Sequence, residues 1–371
     1  MGPKAIFLTG ATGFLGGHLL DELLAATSAD IYCLIRDHDS ETGRVTLKKG
    51  RETRPLFPNE KSHRVIPISG DLSEPLFGLA EKKFNDLADN IDAVYHNGAH
   101  INTIYSYPRL KAANVNGTRE ILKLAGRGEK KSVHFISTVA VFYGQNRSYV
   151  SEDDRPKIAE DLKWGYRRTK QVGEKMMIDA RKEGIPASIY RISRIMGHSE
   201  TGVIHNLNDF LCSMIKGCIV LGTYPDIDIR LNLTPVDYVA GAIRYLANKK
   251  DLRNNTFHIV NPRAISWNEW FDTIRSLGYT LKKVSYKKWI EELLNQRNHP
   301  ENKFFMLLRL LLNSPKSLFS EDLLFDNRRV MEALAGSSIS CPPMDKKIVS
   351  AYLSYFKKIG YINASQRRCF D

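Results

Sequence analysis

The sequence predicts an α/β protein with a doubly wound parallel sheet and a smaller, mostly helical C-terminal lobe. Over the first two thirds of the chain, short apolar segments of strand length alternate with helical segments. Such alternation is typical of a parallel sheet that is covered by helices on both faces. The last third lacks this alternation and contains amphipathic helical segments instead.

The predicted elements follow one another in a regular order. The first strand runs from Lys4 into a turn at Gly10. Further strands are predicted at Asp30–Ile35, Arg64–Ile68, Ala93–His96, Val133–Ser137, Ala187–Ile192 and Thr256–Val260. Helices are predicted at Gly17–Ala26, Leu110–Ala125, Tyr166–Arg181, Pro235–Ala247, Trp267–Leu277, Lys287–Leu294 and Phe304–Leu312. We therefore expect a sheet domain over residues 1–200, to which 229–262 return, and a lobe over 201–371.

The composition is that of a folded globular protein. The chain has 371 residues, of which 43% are hydrophobic and 26% are charged. Its five cysteines show no C-x-x-C spacing. We therefore expect no disulfide framework and no metal site, and we expect a cytoplasmic location. The longest apolar run of the lobe, Phe304–Leu312, is far shorter than the about 20 residues that a membrane span needs.

A formal net charge of +13 indicates an acidic ligand or partner. The basic residues are scattered, and no basic helix with interleaved aromatic residues occurs. Nucleic-acid binding is therefore not the expected function.

Three glycines follow the first strand, at Gly10, Gly13 and Gly16. In a strand–turn–helix unit, the first glycine permits a tight turn and the second lets a pyrophosphate approach the backbone. The third lets the helix pack on the strand, and the helix N-terminus then faces the phosphates. Because strand, turn, helix and second strand occur in this order, the segment predicts a Rossmann-type dinucleotide site rather than a glycine-rich turn without a ligand.

A tyrosine and a lysine stand four residues apart at Tyr166 and Lys170, on one face of a predicted helix. A lysine ammonium beside a phenol is expected to lower the phenol pKa from about 10, which suits proton transfer. The same spacing occurs at Tyr107/Lys111, Tyr245/Lys249 and Tyr279/Lys283. Position favours Tyr166, because its helix follows a strand ending at Thr138, and open parallel sheets bind ligands at the carboxyl ends of strands.

These residues make the chain resemble the extended short-chain dehydrogenase/reductase family. The matching positions are Gly10, Gly13, Gly16, Asp71-Leu72, Asn114–Thr118, Thr138, Tyr166 and Lys170. More narrowly, the chain resembles the thioester reductase domains that terminate nonribosomal peptide and polyketide synthetases, and those of carboxylic acid reductases. The narrower resemblance is carried by Val94–Asn102, Gly197–Gly202 and Leu233–Ala240. One departure is Ile192-Ser193, where many family members have Pro-Gly beside the nicotinamide.

The resemblance implies roles for the catalytic positions. Thr138 and Tyr166 would hydrogen-bond the reacting carbonyl oxygen, with Ser137 as the alternative hydroxyl. Lys170 would hold the nicotinamide ribose and tune Tyr166. Asn114 would support the active-site helix.

The resemblance also implies where the cofactor lies. Asp71-Leu72 would border the adenine, and Asn97-Gly98-Ala99 would line the ribose and phosphates. The full set of residues expected to bind the cofactor is Gly10, Thr12, Gly13, Phe14, Leu15, Gly16, Arg36, Arg44, Asp71, Leu72, Asn97, Gly98, Ala99, Asn114 and Lys170.

The end of the second strand bears on which dinucleotide is used. Arg36 is the first polar residue after that strand, about 20 residues after Gly16. An arginine at this place favours the 2′-phosphate of NADP, and Arg44 and Lys48 follow nearby. The alternative is that Arg36 is only solvated and that Asp37 binds the ribose hydroxyls of NAD. We expect NADPH.

The predicted function is NADPH-dependent reduction of an acyl or peptidyl thioester, held on the phosphopantetheine arm of a carrier protein. The product is an aldehyde, and a second hydride would give the alcohol. Two alternatives stay open on the same scaffold: a fatty acyl-CoA reductase and a sugar-nucleotide epimerase or dehydratase. An inactive, cofactor-sensing protein is the non-enzymatic alternative.

Four lysines of the lobe, Lys282, Lys283, Lys287 and Lys288, lie beside predicted amphipathic helices. The resemblance implies an acidic carrier protein, which these lysines would attract. The alternative is that they only solvate a helix face.

Overall fold

The structure, a computed structural model, describes a large part of the chain. The described residues are 2–36, 63–102, 105–158, 164–205, 207, 209–295 and 323–362. The predicted helix Phe304–Leu312 lies outside these residues, as do Asp37, Arg44 and Lys48.

Fifteen strands occur in the described ranges, and seven of them form one parallel sheet. They are β1 (Ala5–Thr9), β2 (Asp30–Ile35), β3 (Val65–Ser69), β4 (Ala93–His96), β5 (Ser132–Thr138), β6 (Tyr149–Val150), β7 (Ala187–Ile192), β8 (Arg194–Met196), β9 (Thr223–Asp226), β10 (Arg230–Leu231), β11 (Leu233–Pro235), β12 (Thr256–Ile259), β13 (Ile265–Ser266), β14 (Lys282–Ser285) and β15 (Leu324–Phe325).

The large sheet has the order β12-β7-β5-β4-β1-β2-β3. Every pairing within it is parallel. The chain winds outward in both directions from the boundary between β1 and β4, and this reversal is where doubly wound sheets bind their ligands. The predicted fold class, a Rossmann-type α/β sheet with a second lobe, is confirmed.

Helices accompany the strands in the order that the sequence predicts. They are α1 (Phe14–Ala26), α2 (Glu81–Asn90), α3 (Tyr107–Lys111), α4 (Gly117–Gly126), α5 (Gly165–Lys182), α6 (Phe210–Leu221), α7 (Val236–Ala247), α8 (Trp267–Ser276), α9 (Tyr286–Asn295), α10 (Arg328–Leu334) and α11 (Lys346–Lys358). Short 3₁₀ turns occur at Pro75–Gly78, Val139–Phe142 and Lys250–Leu252.

Strand β1 is apolar along its whole length because both faces of the sheet are covered. All five of its residues are buried. Ile6 and Leu8 point into a core with α1 and α7, whereas Phe7 points into the opposite core with α2, α4 and α5. This alternation follows from the period of two along a strand. The two cores together hold the sheet that carries the site.

The C-terminal lobe has its own core, which three buried tryptophans dominate. Trp267, Trp270 and Trp289 are each at most 1% exposed, and they pack with residues of α6 and α11. Helix α11 also contacts the sheet domain, since Tyr352 donates its hydroxyl hydrogen to the carbonyl of Gly197 over 3.0 Å. None of the helices in the described ranges is long and apolar enough to span a bilayer.

The chain returns twice to the sheet domain. Strand β12 pairs with β7, so the segment 229–262 contributes the seventh strand. Near the C-terminus β15 pairs with β6, and Val330 and Leu334 of α10 enter the core beside α7. This second return differs from the predicted division, which assigned all of 201–371 except 229–262 to the lobe.

A buried carboxylate anchors the second return. Glu152 accepts hydrogen bonds from the backbone N–H groups of His258 and Arg329, each over 3.0 Å. Burial raises the pKa of Glu152 to about 7, although these two N–H groups and the charge of Arg329 act to lower it. One side chain thus joins β12 and α10 to the segment that follows β6.

Candidate functional site

The glycine turn between β1 and α1 is shaped by contacts that side chains would prevent. Gly10 has a φ of +72°, and its carbonyl accepts the N–H of Gly13 over 3.0 Å. A Cβ atom on Gly16 would lie 1.9 Å from the same carbonyl oxygen. Helix α1 therefore begins in contact with the end of β1, and only glycine fits at position 16.

The end of β4 completes this edge of the site. Asn97 donates its side-chain N–H to the Gly10 carbonyl over 3.2 Å, and Gly98 donates its backbone N–H to the Thr9 hydroxyl over 2.9 Å. A Cβ on Gly98 would lie 2.7 Å from Cδ1 of Leu72. The predicted cofactor segments around Gly10, Leu72 and Gly98 thus meet at the point where the sheet reverses, and Ala99 follows them in partly exposed position.

This edge fits a dinucleotide. Thr12 and Gly13 are exposed at the tip of the turn, whereas Leu15 is buried beneath it. The first turn of α1 contains Phe14, Leu15 and two glycines and no acidic side chain, so no fixed negative charge opposes a phosphate there. Backbone groups at Gly10, Thr12 and Gly13 would hold the pyrophosphate.

Arg36 and Asp71 lie near each other at the next two strand ends. Arg36 is exposed directly after β2, and Asp71 follows β3. Partial burial acts to raise the pKa of Asp71, but hydrogen bonds from the backbone and hydroxyl of Ser73 and the charge of Arg36 lower it overall. Asp71 is therefore ionised, with a cation beside it, at the place predicted for the adenosine end.

Helix α5 brings Tyr166 and Lys170 to the carboxyl edge of the sheet. It starts at Gly165, where a Cβ would lie 2.4 Å from the Tyr105 carbonyl oxygen, so α5 approaches the start of α3 closely. Lys170 is only 4% exposed and donates a hydrogen bond of 2.6 Å to the carbonyl of Ile136 in β5. Burial lowers the pKa of Lys170 to about 8, and the charge of Glu174 partly opposes that shift.

The expected direction of the Tyr166 pKa is wrong for the protein as described. Tyr166 is partly buried, and burial raises the pKa of its phenol above the usual range. The Lys170 ammonium is directed to the carbonyl of Ile136, where it also lies 4.6 Å from the centre of the Phe135 ring. Tyr166 is therefore a neutral phenol that can donate a hydrogen bond or a proton.

The other three tyrosine–lysine pairs have different surroundings from Tyr166/Lys170. Their lysines, Lys111, Lys249 and Lys283, are all exposed. The Tyr107 ring lies under the guanidinium of Arg168, 4.7 Å from it. Burial of the lysine therefore distinguishes the fourth pair, which supports the choice made from the sequence.

Thr138 and Ser137 point in different directions at the end of β5. Ser137 is 1% exposed and donates its hydroxyl hydrogen to Oε1 of Glu174 over 2.5 Å. Thr138 is partly exposed, and its hydroxyl oxygen accepts the N–H of Ala140 over 3.2 Å. Among the described residues the Thr138 hydroxyl has no acceptor for its own hydrogen, so the geometry favours Thr138 over Ser137 for binding a carbonyl oxygen.

A buried ion pair lies behind the site, and the sequence analysis did not identify it. Glu174 and Arg191 are 0% and 1% exposed, and Nη2 of Arg191 lies 2.9 Å from Oε2 of Glu174. Nε of Arg191 donates to both carboxylate oxygens over 3.1 Å. Glu174 follows Lys170 by one helical turn, and this spacing was the available signal. The pair ties α5 to β7 directly beneath Lys170.

Ser193, the departure from the family pattern, makes a local hydrogen-bonded link. Thr234 donates its hydroxyl hydrogen to the carbonyl of Arg194 over 3.3 Å, so Ser193 must donate to Thr234 across their 3.1 Å contact. The hydroxyls join the end of β7 to β11, which pairs with β8. A Pro-Gly sequence could not make this link.

Asn114 joins the exit of β4 to the active-site helix. It lies in a single π-helical turn, Ala112–Asn116, between α3 and α4. Its side chain accepts the N–H of His100 over 2.7 Å and donates to the carbonyl of His100 over 3.0 Å. It also donates to the Thr169 hydroxyl of α5 over 3.1 Å.

Comparison with known proteins identifies the family. Residues 8–243 match the NAD-binding protein family described as "Male sterility protein". The solved terminal R domain from the myxalamid PKS-NRPS biosynthetic pathway is 38% identical. The match covers 98% of this chain and 93% of that one, with a TM-score of 0.93.

The chain belongs to the terminal reductase domains of nonribosomal peptide and polyketide synthetases, within the extended short-chain dehydrogenases/reductases.

Curated relatives of this reductase domain are much longer proteins. A linear gramicidin synthase of Brevibacillus parabrevis contains a polypeptide that is 36% identical over 369 residues, which are 98% of this chain and 7% of that polypeptide. The L-2-aminoadipate reductase large subunit of Eremothecium gossypii is 30% identical over 386 residues, which are 97% of this chain and 28% of that protein. The reductase domain therefore spans less than a third of the length of either relative.

Within the part of the reductase domain that the structure describes, no three His, Cys, Asp or Glu side chains form a group that could hold a metal ion.

Two glycine substitutions test the contact between α1 and β1. Gly16→Ala should lower the free energy of unfolding by about 1–3 kcal/mol and weaken NAD(P)H binding, because its Cβ would overlap the Gly10 carbonyl. Gly241→Ala in α7 is the matched control, since its Cβ would meet nothing closer than 3.8 Å. It should raise stability by up to about 1 kcal/mol through helix propensity.

Thermal unfolding and fluorescence titration with NAD(P)H measure both effects. Equal behaviour of Gly16→Ala and Gly241→Ala would contradict the assignment of the turn.

Proposed function

We propose that this reductase domain uses NADPH to release an acyl or peptidyl thioester from a carrier protein as an aldehyde. The observation that carries the proposal is the convergence of three groups at one sheet edge. The partly exposed Thr138 hydroxyl, the neutral Tyr166 phenol and the buried Lys170 ammonium follow the strand end beside the glycine turn. These are the groups that a carbonyl reduction needs next to a nicotinamide.

Two of these groups act on the carbonyl oxygen. When bound, NADPH supplies the hydride that adds to the thioester carbonyl carbon. Thr138 and Tyr166 donate hydrogen bonds to the oxygen on which negative charge develops, and Tyr166 gives it a proton. The resulting hemithioacetal breaks its carbon–sulfur bond, so that the pantetheine thiol leaves and the aldehyde remains. A second hydride and proton would convert the aldehyde into the alcohol.

Lys170 acts on the cofactor and on Tyr166 together. Its pKa of about 8 leaves the ammonium largely protonated at neutral pH, with Glu174 opposing its loss of charge. A protonated lysine at this depth can donate hydrogen bonds to the nicotinamide ribose. Its positive charge also favours the phenolate that forms when Tyr166 gives up its proton.

Tyr166→Phe tests the proton donor. The phenyl ring preserves the packing but removes the hydroxyl, so hydride transfer from NADPH to a soluble acyl thioester should slow by about 10²–10³-fold. NADPH binding, measured by fluorescence, should stay within twofold. Tyr107→Phe is the control, since its ring keeps the contact with Arg168. Normal turnover by Tyr166→Phe with slow turnover by Tyr107→Phe would show that the wrong tyrosine was chosen.

The preference for NADPH over NADH rests on Arg36. Arg36→Ala removes a charge-assisted contact to the 2′-phosphate, which should weaken NADPH by about 1.5–3 kcal/mol, roughly 10- to 150-fold. NADH should bind as before, because it lacks that phosphate. Arg119→Ala, an exposed arginine of α4, is the control and should change neither affinity. Equal affinities of the unmodified domain for NADPH and NADH would refute the preference.

The carrier protein is proposed to dock on the lysines of β14 and α9. Two of the four are partly neutralised, since Lys283 lies 3.3 Å from Asp226 and Lys288 lies 4.0 Å from Glu292. Lys282 and Lys287 are exposed, and within the described ranges neither forms an ion pair. These two lysines therefore keep the charge that would attract an acidic carrier.

Charge reversal and salt test the docking site. Lys282→Glu/Lys287→Glu should raise KM for a carrier-bound thioester several-fold and leave a small soluble thioester unchanged. Added salt should act in the same way, because the Debye length falls from about 10 Å at 0.1 M to about 3 Å at 1 M. Lys82→Glu/Lys83→Glu in α2 makes the same change of charge elsewhere and serves as control. If both substrates respond alike, these lysines do not dock the carrier.

A further inference from the structure

A buried row of hydrogen bonds runs from the cofactor-lining end of β4 across the sheet. The backbone N–H of Gly98 donates to the Thr9 hydroxyl over 2.9 Å, and that hydroxyl lies 2.9 Å from Nδ1 of His96. On the other side of the imidazole, Nε2 lies 3.0 Å from the Thr118 hydroxyl. Thr9, His96 and Thr118 are each at most 1% exposed.

Only one arrangement of hydrogens satisfies this row. Thr118 gives its hydroxyl hydrogen to the carbonyl of Asn114 over 2.7 Å, so its oxygen must accept from Nε2–H of His96. Nδ1 then carries no hydrogen and accepts from the Thr9 hydroxyl. The Thr9 oxygen is left to accept the N–H of Gly98.

The imidazole stays neutral in this arrangement. Burial lowers the pKa of His96 to about 3, and the charge of Lys170 acts in the same direction. A doubly protonated ring would also place two donors against the Thr9 hydroxyl and the Thr118 hydroxyl. His96 therefore keeps one tautomer throughout the physiological pH range.

The row continues to the active-site helix. The side-chain N–H of Asn114 donates to the Thr169 hydroxyl over 3.1 Å, and Thr169 donates to the carbonyl of Tyr166 over 2.7 Å. We call the connected residues the His96 chain. They are Gly98, Thr9, His96, Thr118, Asn114, Thr169 and Tyr166.

We propose that His96 is a positioning residue that couples cofactor binding at Gly98 to the placement of Tyr166. The inference rests on the proposed function only for the identity of the cofactor and the reaction. An imidazole can accept on one nitrogen and donate on the other, so it holds two hydroxyls on opposite sides. An apolar side chain of similar size would leave the Thr9 hydroxyl without its acceptor and would cut the His96 chain in the middle.

His96→Phe and a matched control test the coupling. His134→Phe is that control, because His134 is 3% exposed, has a pKa that burial lowers to about 3, and bonds only the Tyr190 hydroxyl among the described residues. Both variants should lower the melting temperature. Only His96→Phe should weaken NADPH binding and lower kcat, each by roughly tenfold, about the effect of one lost buried hydrogen bond.

Hydrogen exchange of α5 amides gives a readout that does not need turnover. NADPH should slow exchange around Tyr166 in the unmodified domain and in His134→Phe, and should do so much less in His96→Phe. This separates the two proposals. If no variant reduces thioesters but exchange responds in this way, the coupling stands and the proposed function fails.

Thr118 provides a second point at which to cut the His96 chain. Thr118→Val should reproduce the losses of His96→Phe, and Thr118→Ser, which keeps the hydroxyl, should restore binding and kcat. Because both changes cut one connection, the double variant His96→Phe/Thr118→Val should lose no more than the worse single variant. The proposal is overturned if the two losses multiply, if His134→Phe shows the same loss, or if Thr118→Val binds and reacts normally.

Discussion

The carbonyl oxygen of Gly10 is the point at which the parts of the site converge. It accepts hydrogen bonds from Gly13 in the turn and from Asn97 at the end of β4, and Gly16 packs directly on it. Helix α1 and strand β4 are thereby fixed on either side of β1. The remaining groups of the site are placed relative to this point by the parallel register of β4, β5 and β7. A shift of the turn would separate the cofactor edge from α5.

The sequence was sufficient for the sheet, the glycine turn and the position of α5, because each depends on local patterns. Apolar strands of four to seven residues, glycine spacing and a Tyr–Lys pair at one helical turn are visible without tertiary information. The choice between Ser137 and Thr138 was not visible in the same way. Neighbouring residues of a strand point to opposite faces, and which face carries Glu174 depends on the packing of α5.

Long-range contacts account for what the sequence analysis missed. The Glu174–Arg191 pair forms only because α5 crosses β7, and nothing near either residue announces the partner. The neutral His96 depends on three elements, since β1, β4 and α4 supply the groups around it. The expected fall in the Tyr166 pKa failed for a related reason, because the local Tyr–Lys spacing carries no information about burial.

The second return of the chain has a consequence for how the domain assembles. Glu152 and Arg329, which meet in the finished structure, are separated by 177 residues of sequence. A ribosome that has released β1 to β12 has not yet supplied Val330 and Leu334, so the core around α7 stays incomplete until almost the whole chain has emerged. Contacts of such separation form slowly, because the entropy of closing a long loop must be overcome first. The nascent polypeptide therefore carries an exposed apolar surface beside α7 through most of its synthesis, and chaperones that recognise such surfaces would find it there.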